Sequence, residues 1–197
     1  MTRPFSQACE NNKQPILDVL LSNLPASGVV LEIGSGTAQH VLHFAAALPA
    51  LRWLPSEMPE NLATLQAGLE DLAPDNVLAP VAIDASQVPW PVGKVDAVIS
   101  ANTLHIMPIE SVEKFMEGAG RVLKSGAPLC VYGPFKYQGE FTTPSNGAFD
   151  EWLKQRDARS GIRDIEKVDE WAARNGLIFQ ADYALPANNQ LLVWRRR

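Results

Sequence analysis

The sequence predicts an α/β fold, a sandwich of helices on both faces of a largely parallel sheet. Three observations predict it. Short apolar runs alternate with helical patterns along most of the chain. Several of those runs are apolar without alternation, as strands buried on both faces are. Two further strand-like runs close the chain, joined by the four-residue turn signal "PANN" at 186–189, which suits an antiparallel hairpin.

Each element has its own signal. "QPILDVLLSNL" (14–24) reads as an amphipathic helix with Pro15 near its first position. "VVLEIG" (29–34) is a buried strand that ends in two closely spaced glycines, Gly34 and Gly36. "TAQHVLHFAAAL" (37–48) spaces Val41, Leu42, Phe44, Ala45 and Leu48 as a helix does, and Pro49 stops it. "RWLPSE" (52–57) is a strand; Pro55 argues for a bulge or an early end there. "PENLATLQAGLEDL" (59–72) is a helix with a proline and an acid in its first turn. "VLAPVAID" (77–84), "VDAVISAN" (95–102) and "PLCVYGPF" (128–135) are strands. Between the last two, residues 109–124 place Val112, Phe115, Met116, Ala119, Val122 and Leu123 on one helical side, with Gly126 beyond the end. Residues 146–177 read as two charged helices broken at Ser160 and Gly161, and "LIFQADYAL" (177–185) and "QLLVWRR" (190–196) form the hairpin.

Composition narrows the classes. The 197 residues fit one domain. Net charge is -5, so no electrostatic footprint invites a nucleic acid or an anionic membrane. The one basic run, 195–197, reads as a solvated tail. Two cysteines, Cys9 and Cys130, make neither a disulfide scaffold nor a metal cluster, and no metal is expected. No apolar run reaches the roughly 18 residues of a membrane span. The first fourteen residues lack the apolar core of a secretory signal, so a cytoplasmic protein is expected.

In sheets of this kind ligands sit at the carboxyl ends of the strands. Those ends here are Glu32-Ile33-Gly34-Ser35-Gly36, then Glu57, Asp84, Asn102, and Tyr132 with the residues after it. Gly34 and Gly36 let the backbone bend and approach a ligand closely. The following helix aims its free N–H groups at the same place. Glu57 stands 25 residues after Glu32, where a carboxylate suits the two hydroxyls of a ribose; Glu60 is an alternative. Asp84, with Ala85 beside it, can accept from an exocyclic amine. Glu32, an acceptor-only group, can meet a cationic amine or orient the loop. The ligand implied is an adenosine with an amine-bearing, positively charged tail.

"VLEIGSGTAQH" then resembles motif I, E/D-x-G-x-G-x-G, of the class I S-adenosylmethionine-dependent methyltransferases. "AID" and "VDAVISANTLHI" resemble that family's later stations. Together they cover about residues 29–135. "SQACENNKQPIL" (6–17) and "PSNGAFDEWLKQRD" (144–157) are similar to a narrower set, the methyltransferase-like proteins once grouped as a domain of unknown function, to which human methyltransferase-like protein 26 belongs. The resemblance implies a Rossmann-like sheet of seven strands in the order 3-2-1-4-5-7-6 and S-adenosyl-L-methionine as cofactor. It implies one domain, with residues 1–25 as a helix and lid segment, 26–135 as the cofactor half and 136–197 as the acceptor side. Its cofactor residues fall on Glu32, Gly34, Ser35, Gly36, Glu57, Asp84, Ala85 and Asn102. The third motif glycine is missing, with Thr37 and Ala38 in its place.

The remaining candidates each carry two readings. Asn102 faces the cofactor or caps a turn. His105, in the loop where acceptors dock, is a base or a loop residue bonded to backbone. Tyr132 and Tyr137 line an acceptor pocket or simply pack. Asn12 and Lys13 precede the first helix and fold over the cofactor or stay solvated. His40 and His43 read as helix-surface residues. No Asn/Asp-Pro-Pro-Tyr/Phe stretch follows the fourth strand, and no Pro-Cys nucleophile is present, which leaves a small molecule or a protein side chain as acceptor. A nicotinamide dinucleotide would want G-x-G-x-x-G, but Gln39 stands at the last position and Glu32 would have no task. A module that binds the nucleoside without transfer is the third reading.

Overall fold

The computed structural model describes residues 5–197. Residues 1–4 of the expected N-terminal segment lie outside the described residues. In chain order the elements are α1 (Gln7–Asn23), β1 (Gly28–Ile33), α2 (Gln39–Ala47), β2 (Leu51–Glu57), α3 (Leu62–Leu69), β3 (Val81–Ala82), β4 (Ala97–Ala101), α4 (Ile109–Val122), β5 (Pro128–Gly133), β6 (Phe135–Tyr137), β7 (Glu140–Phe141), α5 (Pro144–Arg156), β8 (Arg163–Asp164), α6 (Ile165–Arg174), β9 (Leu177–Leu185) and β10 (Asn189–Arg196). The main sheet has seven strands in the order β3-β2-β1-β4-β5-β10-β9. β1, β2, β3, β4 and β5 pair in parallel; β10 is antiparallel to both β5 and β9. Leaving out the small sheet β7-β6-β8, this is the expected order, closed by the expected hairpin.

Side-chain alternation along β1 divides the core. Leu31 and Ile33 face α4 and α6, where Val112, Phe115, Val168 and Trp171 are buried. Val30 faces α1, α2 and α3, with Ile16, Leu20, Phe44 and Leu65. Each fully buried side chain of this size contributes about 1.5–3 kcal/mol. Both faces of the sheet are therefore covered, as the unbroken apolar runs require.

Several expectations need correction. α1 begins at Gln7, seven residues before the expected start, because Ser6 caps it by accepting from the Cys9 N–H at 3.4 Å. Pro15 is thus inside the helix, and Asn12 and Lys13 lie on it rather than before it. Pro55 neither bulges nor ends β2, which runs on to Glu57. On the outer side of β2, Trp53 and Glu57 carry the bonds to the next segment. Pro55 shares their parity, so its missing donor faces the gap before β3, where no ladder bond is needed. The third strand is only Val81–Ala82, with Val77 forming an isolated bridge to Trp53. The stretch 195–197 is not a solvated tail. Arg196 belongs to β10, and its guanidinium donates to the Gly120 carbonyl at 2.9 Å and the Gly176 carbonyl at 3.2 Å.

Candidate functional site

The turn after β1 is held from two sides. Gly34 takes φ 77° beside Thr103, and a Cβ on it would lie 2.8 Å from the threonine Oγ1. Gly36 takes φ 52°, and a Cβ there would meet open space. The N–H groups of Gly34 and Ser35 donate to the Ser56 carbonyl. Glu32 lies beneath this turn, 1% exposed, on the face that α1 and α2 cover. Its Oε2 has no hydrogen-bond partner among the described residues. Burial pushes its pKa up to about 7, the Ser35 hydroxyl opposes the rise and the Glu57 charge adds to it.

The two other acids sit toward the edge of the sheet. Glu57 accepts from the Gly36 N–H at 2.8 Å through Oε2 and from the Met58 N–H at 2.9 Å through Oε1. Asp84 closes a tight turn, accepting from the Ser86 hydroxyl and N–H and from the Gln87 amide. Those donors hold its carboxyl below the usual range, the Ser86 hydroxyl most of all. Met58, Glu60, Ala82, Asp84 and Gln87 line a depression of about 380 Å³. Ala85 points away from it; its side chain is buried in the core on the α4 side.

A cavity of about 410 Å³ opens beside the turn, between α1, the ends of β4 and β5, α5 and the β9–β10 connection. It gathers Asn12, Asn102, His105 and Tyr132 from the sequence-derived candidates. Asn102 takes φ 56°, a conformation asparagine tolerates, so it both turns the chain and faces the cavity. His105 is buried, set edge-on to Phe149 with ring centroids 5.5 Å apart. Its ring nitrogens have no hydrogen-bond partner among the described residues. Burial, helped by the Arg163 charge, lowers its pKa to about 4, so the ring is neutral at pH 7. Burial pushes the Tyr132 hydroxyl pKa up, and the neighbouring Asn12 and Asn189 side chains oppose the rise. Among the described residues the lining contains no charged side chain.

Two candidates stand elsewhere. Lys13 turns to Glu10 on its own helix. Tyr137, on the small sheet, donates to Asp182 Oδ2 at 2.6 Å and is absent from the cavity lining. His40 is not a surface residue. It is buried, with Nε2 2.6 Å from Asn12 Oδ1, and its pKa falls to about 4 on burial. Asn146, Phe149 and Asn189 line the cavity and were not singled out from the sequence. The only signal was that the first two lie in "PSNGAFDEWLKQRD", a stretch that carried resemblance but no chemistry of its own.

Known proteins share this architecture. The structure aligns over 95% of its length with 58% of an O-methyltransferase family protein from Burkholderia thailandensis, at TM-score 0.79 and 15% identity. It aligns over 95% of its length with 54% of the mitomycin 7-O-methyltransferase MmcR, at TM-score 0.78 and 17% identity. It aligns over 94% of its length with 51% of human N-acetylserotonin methyltransferase in complex with SAM, at TM-score 0.75 and 15% identity. The fold is therefore the Rossmann-like methyltransferase fold. In sequence, the O-methyltransferase pgmB of Aspergillus terreus (strain NIH 2624 / FGSC A1156) is 26% identical over 106 residues, which is 53% of this chain and 30% of that protein. The chain thus matches less than a third of that relative's length. Residues 3–196 match the model of a family described as "Protein of unknown function (DUF938)". No helix among the described residues is long and apolar enough to cross a membrane.

Proposed function

The chain belongs to the DUF938 family, described as proteins of unknown function, and from that premise we propose that it is an S-adenosyl-L-methionine-dependent methyltransferase acting on a small molecule. The observation that carries the reading is the unpartnered carboxylate oxygen of Glu32, buried beside the glycine turn of a methyltransferase fold. A buried acceptor without a donor costs about 1–3 kcal/mol. A ligand with a cationic amine removes that cost by donating to it. The open space beyond Gly36 supports the same ligand.

When bound, the cofactor supplies a methyl group on a positively charged sulfur. The residues of the chain bind and orient it. Glu32 meets the amine, and the backbone of Gly34, Ser35 and Gly36 forms the cradle. Glu57 accepts from the ribose hydroxyls; each of its oxygens keeps a lone pair beyond the backbone bond already made. Asp84, with the backbone of Ala85, serves the adenine end, and Asn102 stands between cofactor and cavity. The cavity of about 410 Å³ has the size of a small-molecule site. His105 positions an acceptor by hydrogen bonding. With its pKa near 4 it is too weak a base to be the main source of rate. Orientation remains, and it can be worth about 7–11 kcal/mol. In this reading residues 1–25 form the helix and lid segment, 26–135 the cofactor half and 136–197 the acceptor side. The likeness to the methyltransferase-like protein 26 type and a cytoplasmic location belong to the same proposal.

Thermal unfolding with S-adenosylhomocysteine, S-adenosylmethionine, NAD and NADP in parallel tests it. A ligand at about 100 times its dissociation constant adds ~2.7 kcal/mol, which is several degrees for a domain of this size. The two adenosyl-sulfur ligands are expected to raise the midpoint, and Glu57→Ala to weaken both. A shift with NAD, or with no ligand, overturns the reading. Binding without methyl transfer to any acceptor favours the nucleoside-binding module.

A further inference from the structure

A second cavity, of about 410 Å³, shares no lining residue with the first. It lies among β6, the end of α5, the 158–164 segment and one side of α6. Its lining holds Lys136, Lys154, Arg159, Arg163 and Lys167 against a single acid, Asp164. The chain as a whole carries net charge -5, and cations outnumber acids in this lining, although three of the five are ion-paired with carboxylates outside it.

Two of the five, Arg163 and Lys136, make no ion pair among the described residues, although Asp150 and Glu110 act on the first and Asp164 on the second at longer range. Arg163 is buried and fixed in place. Its Nε donates to the Leu104 carbonyl at 2.9 Å, and Nη2 to the carbonyls of Met107 and Arg159. Its Nη1 has no hydrogen-bond partner among the described residues. The Lys136 ammonium lies 5.4 Å from the Phe141 ring centroid, with no ion pair among the described residues. The other three are ion-paired, Lys154 with Asp150, Arg159 with Asp157 and Lys167 with Glu170. Arg159 and Lys167 pair with exposed carboxylates, where such pairs contribute only about 0–1 kcal/mol, so both can turn to a stronger anion; Lys154 stays with Asp150, which is buried. The floor is apolar. Ile162, Val168 and Trp171 are buried there, and the Lys167 ammonium stands 5.2 Å from the Trp171 ring centroid.

We infer that this cavity binds a small phosphate monoester, with the phosphoryl group among the cations and an apolar body on the Ile162–Trp171 floor. A fixed guanidinium with a free donor edge suits a dianionic phosphoryl group. A half-open hollow of about 410 Å³ suits a small molecule rather than a polymer.

Titration calorimetry on the full chain with inorganic phosphate and phenyl phosphate tests this. Both are expected to bind, phenyl phosphate more tightly. Lys136→Ala is expected to weaken both about tenfold or more, and Lys136→Glu further. Neither substitution is expected to change the unfolding midpoint without ligand or the response to S-adenosylhomocysteine. Arg159→Ala, at an exposed position, supplies a second variant with the same expected direction. No heat at millimolar concentrations of either probe overturns the proposal. So does binding that Lys136→Ala leaves unchanged. An oligothymidylate that binds with the same dependence on Lys136, and more tightly than phenyl phosphate, overturns the small-molecule assignment.

Discussion

Ala38 takes φ 66° while fully buried, the conformation that the missing third glycine of the motif would have adopted freely. For a residue with a Cβ it costs roughly 1–2 kcal/mol. The room for that Cβ comes from another glycine, Gly68 on α3. A Cβ at position 68 would lie 2.5 Å from the Thr37 carbonyl oxygen and 3.1 Å from the Ala38 Cβ. The turn lacks its third glycine and has one across the contact instead. In an exposed helix interior, glycine to alanine adds about 1 kcal/mol of stability. At Gly68 the sign is expected to reverse. The clash is with backbone, which cannot swing aside, and overpacking costs about 1–3 kcal/mol. Thermal unfolding of Gly68→Ala should show a midpoint lowered by several degrees; a raised midpoint would mean that α3 does not press on the turn. The acids at the strand ends could be read from their order along the chain. Gly68 could not, because its reason is a neighbour 30 positions away in sequence. His40 failed for a similar reason. Helical periodicity places it on α2, but only the position of α1 decides that it is covered.

α1 is bound in two different ways along its length. Before Pro15 its contacts with α2 are polar. Ser6 N–H donates to Gln39 Oε1 at 2.6 Å, Asn12 meets His40 at 2.6 Å, and Gln14 meets His43 at 3.0 Å. After Pro15, Ile16, Leu17 and Leu20 are buried in the core. Pro15 removes one helical hydrogen bond at the boundary. The first half covers Glu32 and lines the cavity through Ala8, Asn11 and Asn12. Amide hydrogens of residues 8–14 are therefore expected to exchange faster than those of 17–23, and to slow when S-adenosylhomocysteine is added. Equal protection along the helix would show that it behaves as one rigid piece. The sequence showed the apolar half plainly, as period and pattern. It hid the polar half, because Asn12 and Gln14 are held here by partners on α2 rather than by any period of their own. The short third strand was over-read for the opposite reason. "VLAPVAID" is apolar up to Asp84, yet an apolar run does not reveal how many of its residues find a ladder partner.

Across the whole molecule, three buried titratable groups set how stability varies with pH. His40 and His105 have folded pKa values near 4, below the ordinary 6.5. Each contributes stability that is present above pH 6.5 and lost as pH falls toward 4. Glu32 works the other way. Its folded pKa near 7 exceeds the ordinary 4.5, so its contribution is present below pH 4.5 and lost as pH rises through 7. Between about pH 4.5 and 6.5 the unfolded chain holds two histidine protons that the folded one lacks, and the folded chain holds one glutamate proton more. The balance leaves more protons on the unfolded chain, so stability rises toward pH 6.5, and the lowered pKa of His43 adds in the same direction. The rise should level off near pH 7, where the histidine protons still left on the unfolded chain balance the glutamate proton left on the folded one. Glu32→Gln is expected to steepen the rise between pH 4.5 and 7 and to raise the midpoint at pH 8, while weakening S-adenosylhomocysteine. Melts of both proteins from pH 4 to 8 measure this, and a wild-type midpoint still climbing above pH 7 would remove Glu32 from the account.

β10 lies inside the sheet, between β5 and β9, although Asn189–Arg196 is made after every other element described. On a ribosome, β1 through β5 emerge early and can pair in parallel while β5 still lacks its outer neighbour. That edge stays open until the last strand leaves the exit tunnel. Leu191, Leu192, Val193 and Trp194 then fill both faces of the core in one step. For the nascent chain, the interval before that step is the time of greatest exposure to other open sheet edges, and the order of synthesis stretches it from the emergence of β5 to that of β10.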